Sequence, residues 1–189
     1  MSVKNSDYGI LASRLIINNH IKNTLESFTD TMNKLGHLLS DEFLAIVNKY
    51  PEEYNAMIIP ERDYLISYFG FNTMFKSYLL KKDKQVLERP QHLFMRVSVA
   101  IHGINLEKVK ETYDLISQKY FTHATPTLFN AGTRYQQLSS CFLLTTPDSV
   151  DGIFDTIKDM ANISKWAGGI GKSISDVRAK GSYIRKTGG

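Results

Sequence analysis

Cysteine is nearly absent from this sequence, which has Cys141 alone among 189 residues. A single cysteine excludes an internal disulfide framework and favours a reducing, cytoplasmic compartment. No apolar run approaches the roughly 20 residues that a membrane-spanning helix needs, and the polar residues 1–10 do not resemble a secretory signal, so we expect no membrane association. The five histidines are scattered without HxxxH or CxxC spacing, which argues against a metal site held by this chain.

A strong charge of either sign is also missing. The net charge is +4, and the charged residues are mixed along the chain without a polybasic arm. This balance fits small anionic ligands and does not indicate a nucleic-acid partner. With 42% hydrophobic residues, the chain is nevertheless long enough to bury a core.

Helical periodicity dominates the first 137 residues. Apolar stripes predict helices in three stretches, 8–49, 90–101 and 106–120. Pro90 suits the first turn of one helix, and Pro51 helps to end another. Residues 125–133 are rich in turn formers and predict a loop. We therefore expect a mainly α N-terminal domain over residues 1–137.

Aromatic and aliphatic residues crowd the segment 63–88, which Gly70 and a lysine-rich turn at 81–84 interrupt. The segment predicts a short hairpin after an irregular aromatic stretch. Exposed aromatic rings could stack on nucleobases, whereas clustered rings without interleaved arginines are typical of a core. We favour the core.

The pattern changes at Leu138. Residues 141–144 are apolar without a helical period, as in a buried strand, and residues 174–177 alternate as in a second strand. Between them, residues 150–161 carry the clearest amphipathic stripe in the sequence, with Asp148 as the predicted N-cap. One strand–helix–strand unit cannot cover both faces of a parallel sheet, so we expect the part from Leu138 onward to begin a larger α/β domain.

The run GGIGKS at 168–173 resembles two phosphate-binding motifs and fits neither. Trp166 stands where a P-loop needs its first glycine, and Ile174 stands where the dinucleotide motif needs its third. The glycines could end the helix and allow tight passage into the next strand. They could also let bare backbone approach a ligand closely. The residues leave both interpretations open.

Cys141 has polar neighbours in the sequence. A lone cysteine is usually a small buried hydrophobe. Here Ser139 and Ser140 precede it, and a hydroxyl-rich segment at 125–133 lies upstream. Hydroxyls and turn amides suit a polar, phosphorylated substrate, so a reactive thiol is the alternative to a buried one.

Several ordered motifs together resemble the class I ribonucleotide reductase large subunit. They are ERPQH at 88–92, MRV at 95–97, YFTHATPTLFNAGT at 120–133, QLSSCFLL at 137–144, SK at 164–165, AGGIG at 167–171, RA at 178–179 and GS at 181–182. The match runs from about Asp7 to the last residue and is nearest to the eukaryotic and large-virus type.

The resemblance implies a helical N-terminal domain, 1–137, followed by the beginning of a ten-stranded α/β barrel, 138–189, which one chain of this length leaves incomplete. It implies reduction of ribonucleoside diphosphates to deoxyribonucleoside diphosphates for DNA synthesis by thiyl-radical chemistry, coupled to thioredoxin or glutaredoxin. A metal-containing small subunit supplies the radical in this family. Deoxynucleoside triphosphates or ATP act as allosteric effectors at a specificity site.

Several parts of the family pattern have no match in this sequence. They are the N-terminal regulatory cone, the radical cysteine, the second redox cysteine, the tyrosine relay and the C-terminal CxxC tail. We therefore expect a fragment or split subunit that is inactive alone and needs the C-terminal remainder of the large subunit. The alternatives are a non-catalytic nucleotide-binding or dimerisation remnant that acts as a regulator or decoy, and a plain helical adaptor.

The resemblance assigns substrate chemistry to four residues. Cys141 matches one of the two barrel cysteines that form a disulfide as the ribose is reduced. Thr125 occupies a substrate-binding position usually held by serine and keeps the hydroxyl. Ser140 matches a second substrate contact, and Gly169 would approach the substrate through its backbone.

The resemblance also assigns an effector site near the amphipathic helix. On local grounds Asp148 and Ser149 could be plain helix caps. In the family pattern, Asp148, Ser149 and Val150 match the start of the specificity-site helix at the dimer interface. Residues 149–163 would then pack against a second copy and form a homodimer.

Basic residues complete the expected effector site. Lys165 and Arg178 could be surface charges, but they match family residues that face the effector, and their charge suits a triphosphate. The last effector contacts would fall on Arg185 and Lys186. Small residues are usual at those two positions, so this departure puts both contacts in doubt.

Overall fold

α-Helices make up most of the first part of the chain, and several begin at a capping serine. The computed structural model describes residues 7–184, and within 7–136 its α-helices are α1 (Asp7–Lys22), α2 (Phe28–Lys34), α3 (Asp41–Lys49), α4 (Pro51–Met57), α5 (Tyr68–Thr73), α6 (Pro90–His102), α7 (Leu106–Ser117) and α8 (Thr125–Asn130). The hydroxyls of Ser27 and Ser40 accept hydrogen bonds from first-turn amides of α2 and α3. The mainly helical prediction is confirmed.

Prolines lie in the first turns of two short helices, one of them in a stretch that was wrongly predicted as a loop. α3 ends at Lys49, just before Pro51 as expected, and Pro51 is then the first residue of α4, which the periodicity had missed. A proline suits a first turn because the amide hydrogen that it lacks would have no partner there. For the same reason, Pro126 fits the first turn of α8, where the sequence had predicted a loop.

The segment before α6 is more regular than the sequence suggested. A 3₁₀ helix (Pro60–Leu65), α5 and a π-helical turn (Met74–Tyr78) lead into a hairpin of β1 (Lys81–Lys82) and β2 (Gln85–Val86). The predicted hairpin is confirmed. The prediction of an irregular stretch before the hairpin is wrong, because that stretch forms helical turns.

The aromatic residues of this segment divide between core and surface. Phe71 is fully buried and lies against the rings of His20 and Phe75. Phe69, in contrast, is 79% exposed and Tyr68 is 48% exposed. The expectation that this cluster packs into a core is therefore wrong for part of it, because these short helical turns present only one side to the interior.

The main core lies among α2, α3, α6 and α7. Its buried members are Phe28, Met32, Leu35, Leu39, Phe43, Val47, Tyr54, Leu87, Met95, Val99, Val109 and Tyr113. Beyond α8, the chain returns to this core, since Leu39 forms an isolated antiparallel bridge with Thr133. Fully buried apolar side chains of this kind each stabilise the fold by about 1.5–3 kcal/mol.

A buried carboxyl beside this core makes stability depend on pH. Asp63 is 1% exposed, and its Oδ1 accepts a hydrogen bond from Gln91 Nε2 at 3.0 Å. Burial raises the pKa of Asp63 to about 6, and the hydrogen bond from Gln91 and the charge of Arg89 only partly offset that rise. Folding therefore favours the protonated acid. Stability from this residue is present below its unfolded pKa and is lost as pH rises through about 6.

We predict that Asp63→Asn is more stable than the parent chain near pH 7, by about 3 kcal/mol at most, and equal to it near pH 4. Asparagine keeps the acceptor for Gln91 and removes the charge. Urea unfolding at several pH values measures the difference. Glu61→Gln, at an exposed carboxyl in the same turn, is the control. A stability difference that does not change with pH would contradict the assignment.

The second part of the chain is a parallel strand–helix–strand arrangement. The chain divides into two compact units, 1–136 and 137–189, which we call the helical unit and the strand unit. The strand unit contains β3 (Cys141–Thr145), α9 (Val150–Lys165) and β4 (Gly169–Ser173). β3 and β4 pair in parallel, with Cys141 opposite Gly169.

Two details of this unit correct the sequence-based expectations. The second strand is the glycine run itself, and residues 174–177 form a turn instead of the expected strand. β3 is also not buried. Among the described residues its sheet has two strands, and α9 packs against one side of them, which leaves the other side open. Leu143, on β3, is 90% exposed.

Candidate functional site

The alternation of β3 divides its side chains between two faces. Cys141, Leu143 and Thr145 are exposed, whereas Phe142 and Leu144 are half-buried. Phe142 lies on the side of α9, since a Cβ built on Gly168 would meet both Phe142 and Ile163 of that helix. The Cys141 thiol therefore lies on the open face of the sheet.

The glycine run lies beside that thiol. The Gly169 amide donates a hydrogen bond to the Ser140 carbonyl at 2.7 Å. A Cβ built on Gly169 would lie 3.1 Å from the Ser140 carbonyl oxygen and 3.8 Å from Cys141 Sγ. The Ser140 hydroxyl donates to Cys141 Sγ at 3.7 Å. The structure thus brings together three of the predicted substrate residues, and the backbone beside the thiol is bare.

Two other glycines in the run are required by packing. A Cβ on Gly168 would lie 2.6 Å from Ile163 Cγ2, and one on Gly171 would lie 2.9 Å from Leu143 Cδ2. Real Cβ contacts are not that short, so any side chain there would force a shift. Close packing therefore explains Gly168 and Gly171, and the tight 3.1 Å position of a Cβ on Gly169 agrees with it. Approach of a ligand to this backbone stays a prediction.

Thr125 belongs to the helical unit, at the first position of α8. Its hydroxyl lies 3.1 Å from the Tyr78 hydroxyl, and the Tyr78 ring stacks on Phe129 of α8 with centroids 4.8 Å apart. Sequence reasoning did not single out Tyr78. Its partner lies 47 positions away in sequence, and no local pattern links the two.

A fully buried ion pair holds the other end of α8, and it too was missed. Arg96 Nε donates to Glu88 Oε1 at 2.7 Å, and both side chains are 0% exposed. The same guanidinium donates to the carbonyls of Ala131 (2.6 Å) and Leu128 (3.1 Å). Glu88 Oε2 accepts from the Leu80 amide at 2.9 Å. Every polar side-chain atom of the pair therefore has a hydrogen-bond partner, which offsets the cost of burying the charges.

The start of α9 differs from the prediction in one respect. Ser149, not Asp148, is the N-cap, and its hydroxyl accepts from the Gly152 amide at 3.0 Å. The Asp148 carboxylate instead accepts from Arg178 Nε at 2.6 Å. The prediction that Asp148 is the cap is wrong, but the structure does bring Asp148, Ser149 and Arg178 to one end of the helix.

Part of the apolar stripe of α9 is exposed, although Ile153 and Met160 of the same stripe are half-buried. Val150 is 71% exposed, Phe154 66% and Ile157 49%, whereas Thr156 is buried. Lys165 lies at the opposite end of the helix, with its Nζ 5.4 Å from the Trp166 ring centroid. At 1.5 Å per residue, Val150 and Lys165 are about 22 Å apart, so one chain does not bring Lys165 to Asp148.

Three further expectations concern the last effector contacts, metal ligands and membrane spans. Arg185 and Lys186 lie outside the described residues. Within residues 7–184 there is no group of three or more His, Cys, Asp or Glu side chains placed to hold a metal ion. No helix in that range has the length and apolarity needed to cross a lipid bilayer.

Comparison with known proteins gives matches in both units. The family model described as "Ribonucleotide reductase, all-alpha domain" matches residues 64–136, and "Ribonucleotide reductase, barrel domain" matches 139–189. The chain belongs to the ribonucleotide reductase large-subunit family. The resemblance inferred from the motifs is confirmed, and the helical prediction followed by a barrel start agrees with both models.

Relatives of this ribonucleotide reductase chain are large subunits from distant sources. The ribonucleoside-diphosphate reductase large subunit of Monkeypox virus is 50% identical over all of this chain, which covers 26% of that protein. The large chain of Schizosaccharomyces pombe is 49% identical, with 100% of this chain and 25% of the relative covered. The large subunit of Caenorhabditis elegans is 45% identical, with 100% and 26% covered. The chain thus spans about a quarter of the length of these relatives.

The ribonucleotide reductase models divide the predicted substrate residues between them. Thr125 lies in the all-alpha match, together with Tyr78, Glu88 and Arg96. Ser140, Cys141 and Gly169 fall in the barrel match, as do Asp148, Ser149, Val150, Lys165 and Arg178. Only the barrel match includes a thiol.

Proposed function

We propose that this chain supplies one reducing cysteine and part of the substrate site of a ribonucleoside-diphosphate reductase. The observation that carries the proposal is the exposed Cys141 thiol beside the bare backbone of Gly169 and the Ser140 hydroxyl. In the reaction, two thiols are oxidised to a disulfide and give two electrons and two protons to the ribose. The 2′-hydroxyl leaves as water, and hydrogen takes its place.

The chemistry needs sulfur that this chain does not contain. Cys141 is its single cysteine, so the disulfide partner and the radical cysteine must come from another polypeptide segment. We assign residues 1–137 to a helical domain and 138–189 to the first strands of a barrel that this segment completes. A metal-containing small subunit would supply the radical.

Coexpression with a completing polypeptide tests the proposal. We define the completing polypeptide as the part of the Monkeypox virus relative that follows the region aligned to this chain. Together with a matching small subunit, the pair should convert ribonucleoside diphosphates to deoxyribonucleoside diphosphates, and neither part alone should do so. Association of the two parts without any product would contradict the proposal.

An effector site at the start of α9 is the second part of the proposal. Asp148, Ser149 and Arg178 already lie together, and Arg178 is 42% exposed in its side chain, so its guanidinium can reach a triphosphate. The exposed apolar stripe of α9 fits the same stripe of a second copy. An antiparallel, twofold pairing would bring Lys165 of one copy to the Asp148 end of the other, which one chain alone does not achieve.

We predict that Arg178→Ala weakens deoxynucleoside triphosphate binding by tenfold or more. A hydrogen bond to a charged group contributes about 1.5–3 kcal/mol, which corresponds to a loss of roughly ten- to hundredfold. Calorimetry with each deoxynucleoside triphosphate measures the affinity. Lys158→Ala removes an equal charge from an exposed position of α9 and should leave the affinity unchanged. An equal loss of affinity in both variants would mean that only the net charge matters, and it would contradict a specific contact from Arg178.

The same titrations address the alternative function. A regulator or decoy would bind deoxynucleoside triphosphates through Asp148 and Arg178, yet would give no reduction with the completing polypeptide. The preformed contact between those two side chains, at 2.6 Å, is the observation that favours keeping this candidate.

A further inference from the structure

A hydroxyl pair connects the π-helical turn to the proposed substrate residue of the helical unit. Tyr78 and Thr125 lie with their hydroxyl oxygens 3.1 Å apart, and either oxygen could donate by geometry alone. The Tyr78 ring is fixed by its stacking on Phe129, at an interplanar angle of 26°. Tyr78 is half-buried and Thr125 is half-buried, so both hydroxyls stand at the edge of the interior.

The chemistry of a nucleotide substrate decides the direction of this hydrogen bond. An ionised phosphate oxygen accepts hydrogen bonds and cannot donate. If Thr125 contacts a phosphate, its single proton must point toward the phosphate. Its oxygen then accepts a hydrogen bond from the Tyr78 hydroxyl. A hydrogen-bond chain of this kind also polarises the threonine hydroxyl and strengthens its donation.

The buried ion pair fixes both sides of the contact. Arg96 holds the carbonyls of Leu128 and Ala131, at the end of the helix that begins with Thr125. Glu88, the partner of Arg96, holds the amide of Leu80, two residues after Tyr78. The ion pair therefore makes hydrogen bonds both to the segment that follows Tyr78 and to the helix α8 that begins with Thr125.

We propose that Tyr78 is a positioning residue whose hydroxyl donates a hydrogen bond to Thr125 Oγ1 and thereby turns the Thr125 O–H toward a phosphate of the ribonucleoside diphosphate. This inference rests on the proposed function. It adds a residue and a proton direction to a site that otherwise consists of Thr125 alone in the helical unit.

The functional test is Tyr78→Phe in the chain combined with the completing polypeptide. The change keeps the stacked ring and removes the proton. We expect KM for the ribonucleoside diphosphate to rise about three- to tenfold, because one charge-assisted contact loses its orientation, with kcat changed less than twofold. In a Thr125→Val background, Tyr78→Phe should have no further effect on KM. A KM unchanged by Tyr78→Phe, or raised equally in the Thr125→Val background, would overturn the proposal.

Tyr54→Phe is the matched control. Tyr54 is fully buried and its hydroxyl donates to the Gly103 carbonyl at 3.0 Å, remote from α8 in the sequence and without contact to Thr125. It should lower stability and leave KM unchanged. A KM rise as large as that of Tyr78→Phe would show a general structural effect and sink the positioning role.

A second measurement keeps this inference separate from the proposed function. Three-bond couplings to the Thr125 methyl carbon report its χ1 angle in the 189-residue chain without any substrate. We expect one rotamer in the parent chain and averaging among rotamers in Tyr78→Phe, with other threonines unchanged. If the parent pair makes no product, the proposed reductase function fails, and the couplings still decide whether Tyr78 fixes Thr125. An unchanged rotamer in Tyr78→Phe would refute the inference by itself.

Discussion

Cys141→Ser should abolish formation of deoxyribonucleoside diphosphates in the chain combined with the completing polypeptide, with a loss of about a thousandfold or more. A serine hydroxyl has nearly the size of the thiol but cannot form a disulfide, so the two electrons for the ribose are not available. The thiol is exposed and lies beside Ser140 and Gly169, where a substrate can reach it. A product assay with labelled ribonucleoside diphosphate measures the loss.

Two comparisons separate lost chemistry from lost structure. Cys141→Ser should bind deoxynucleoside triphosphates as the parent chain does, because the start of α9 is formed by other residues. Ser139→Ala, which removes an exposed hydroxyl two positions earlier, should keep activity within about twofold. Product formation by Cys141→Ser at even a tenth of the parent rate would exclude a reducing role for this thiol.

Arg96→Leu should cost the helical unit about 3–5 kcal/mol of its free energy of unfolding. The change leaves Glu88 charged, buried and without its guanidinium, and it frees two carbonyls at the end of α8. Removing one partner of a buried pair is far more costly than removing both. Urea unfolding of the chain, followed by far-ultraviolet circular dichroism, measures the change.

The matched variants are a double replacement and a surface pair. Glu88→Leu with Arg96→Leu should recover part of the loss, since no charge is left buried. Lys108→Ala breaks the exposed ion pair with Glu111, which solvent screens, and should leave the free energy of unfolding nearly unchanged. If Arg96→Leu costs as little as Lys108→Ala, the pair does not hold α8 in place.

Predictions from the sequence succeeded where a long apolar period or an apolar run determines the element. The stripe from Val150 onward gave α9, and the run after Cys141 gave β3, as the structure has them. They failed where short-range preferences compete with tertiary contacts. Glycine is unfavourable in strands, yet Gly169 and Gly171 lie in β4 because their missing side chains allow close pairing beside β3.

Buried charge is the part of the site that sequence patterns do not reveal. The sequence motifs include Glu88 and Arg96 but did not predict that the two side chains are buried, because charged residues are normally assigned to the surface. Tyr78 was assigned to an aromatic core, although its hydroxyl faces Thr125. The effector residues were predicted as a group from the resemblance, but helix length places Lys165 about 22 Å from the start of α9. That separation is the reason for proposing an effector site shared between two copies.

A single turnover without external reductant tests the central claim most directly. The chain and the completing polypeptide, both fully reduced, are mixed with the small subunit and a ribonucleoside diphosphate, then quenched, alkylated and digested for mass spectrometry. The account predicts that the Cys141 peptide is recovered in a disulfide with a cysteine of the completing polypeptide, in an amount equal to the deoxyribonucleoside diphosphate formed. Product formation with Cys141 still fully alkylated as a free thiol would contradict it.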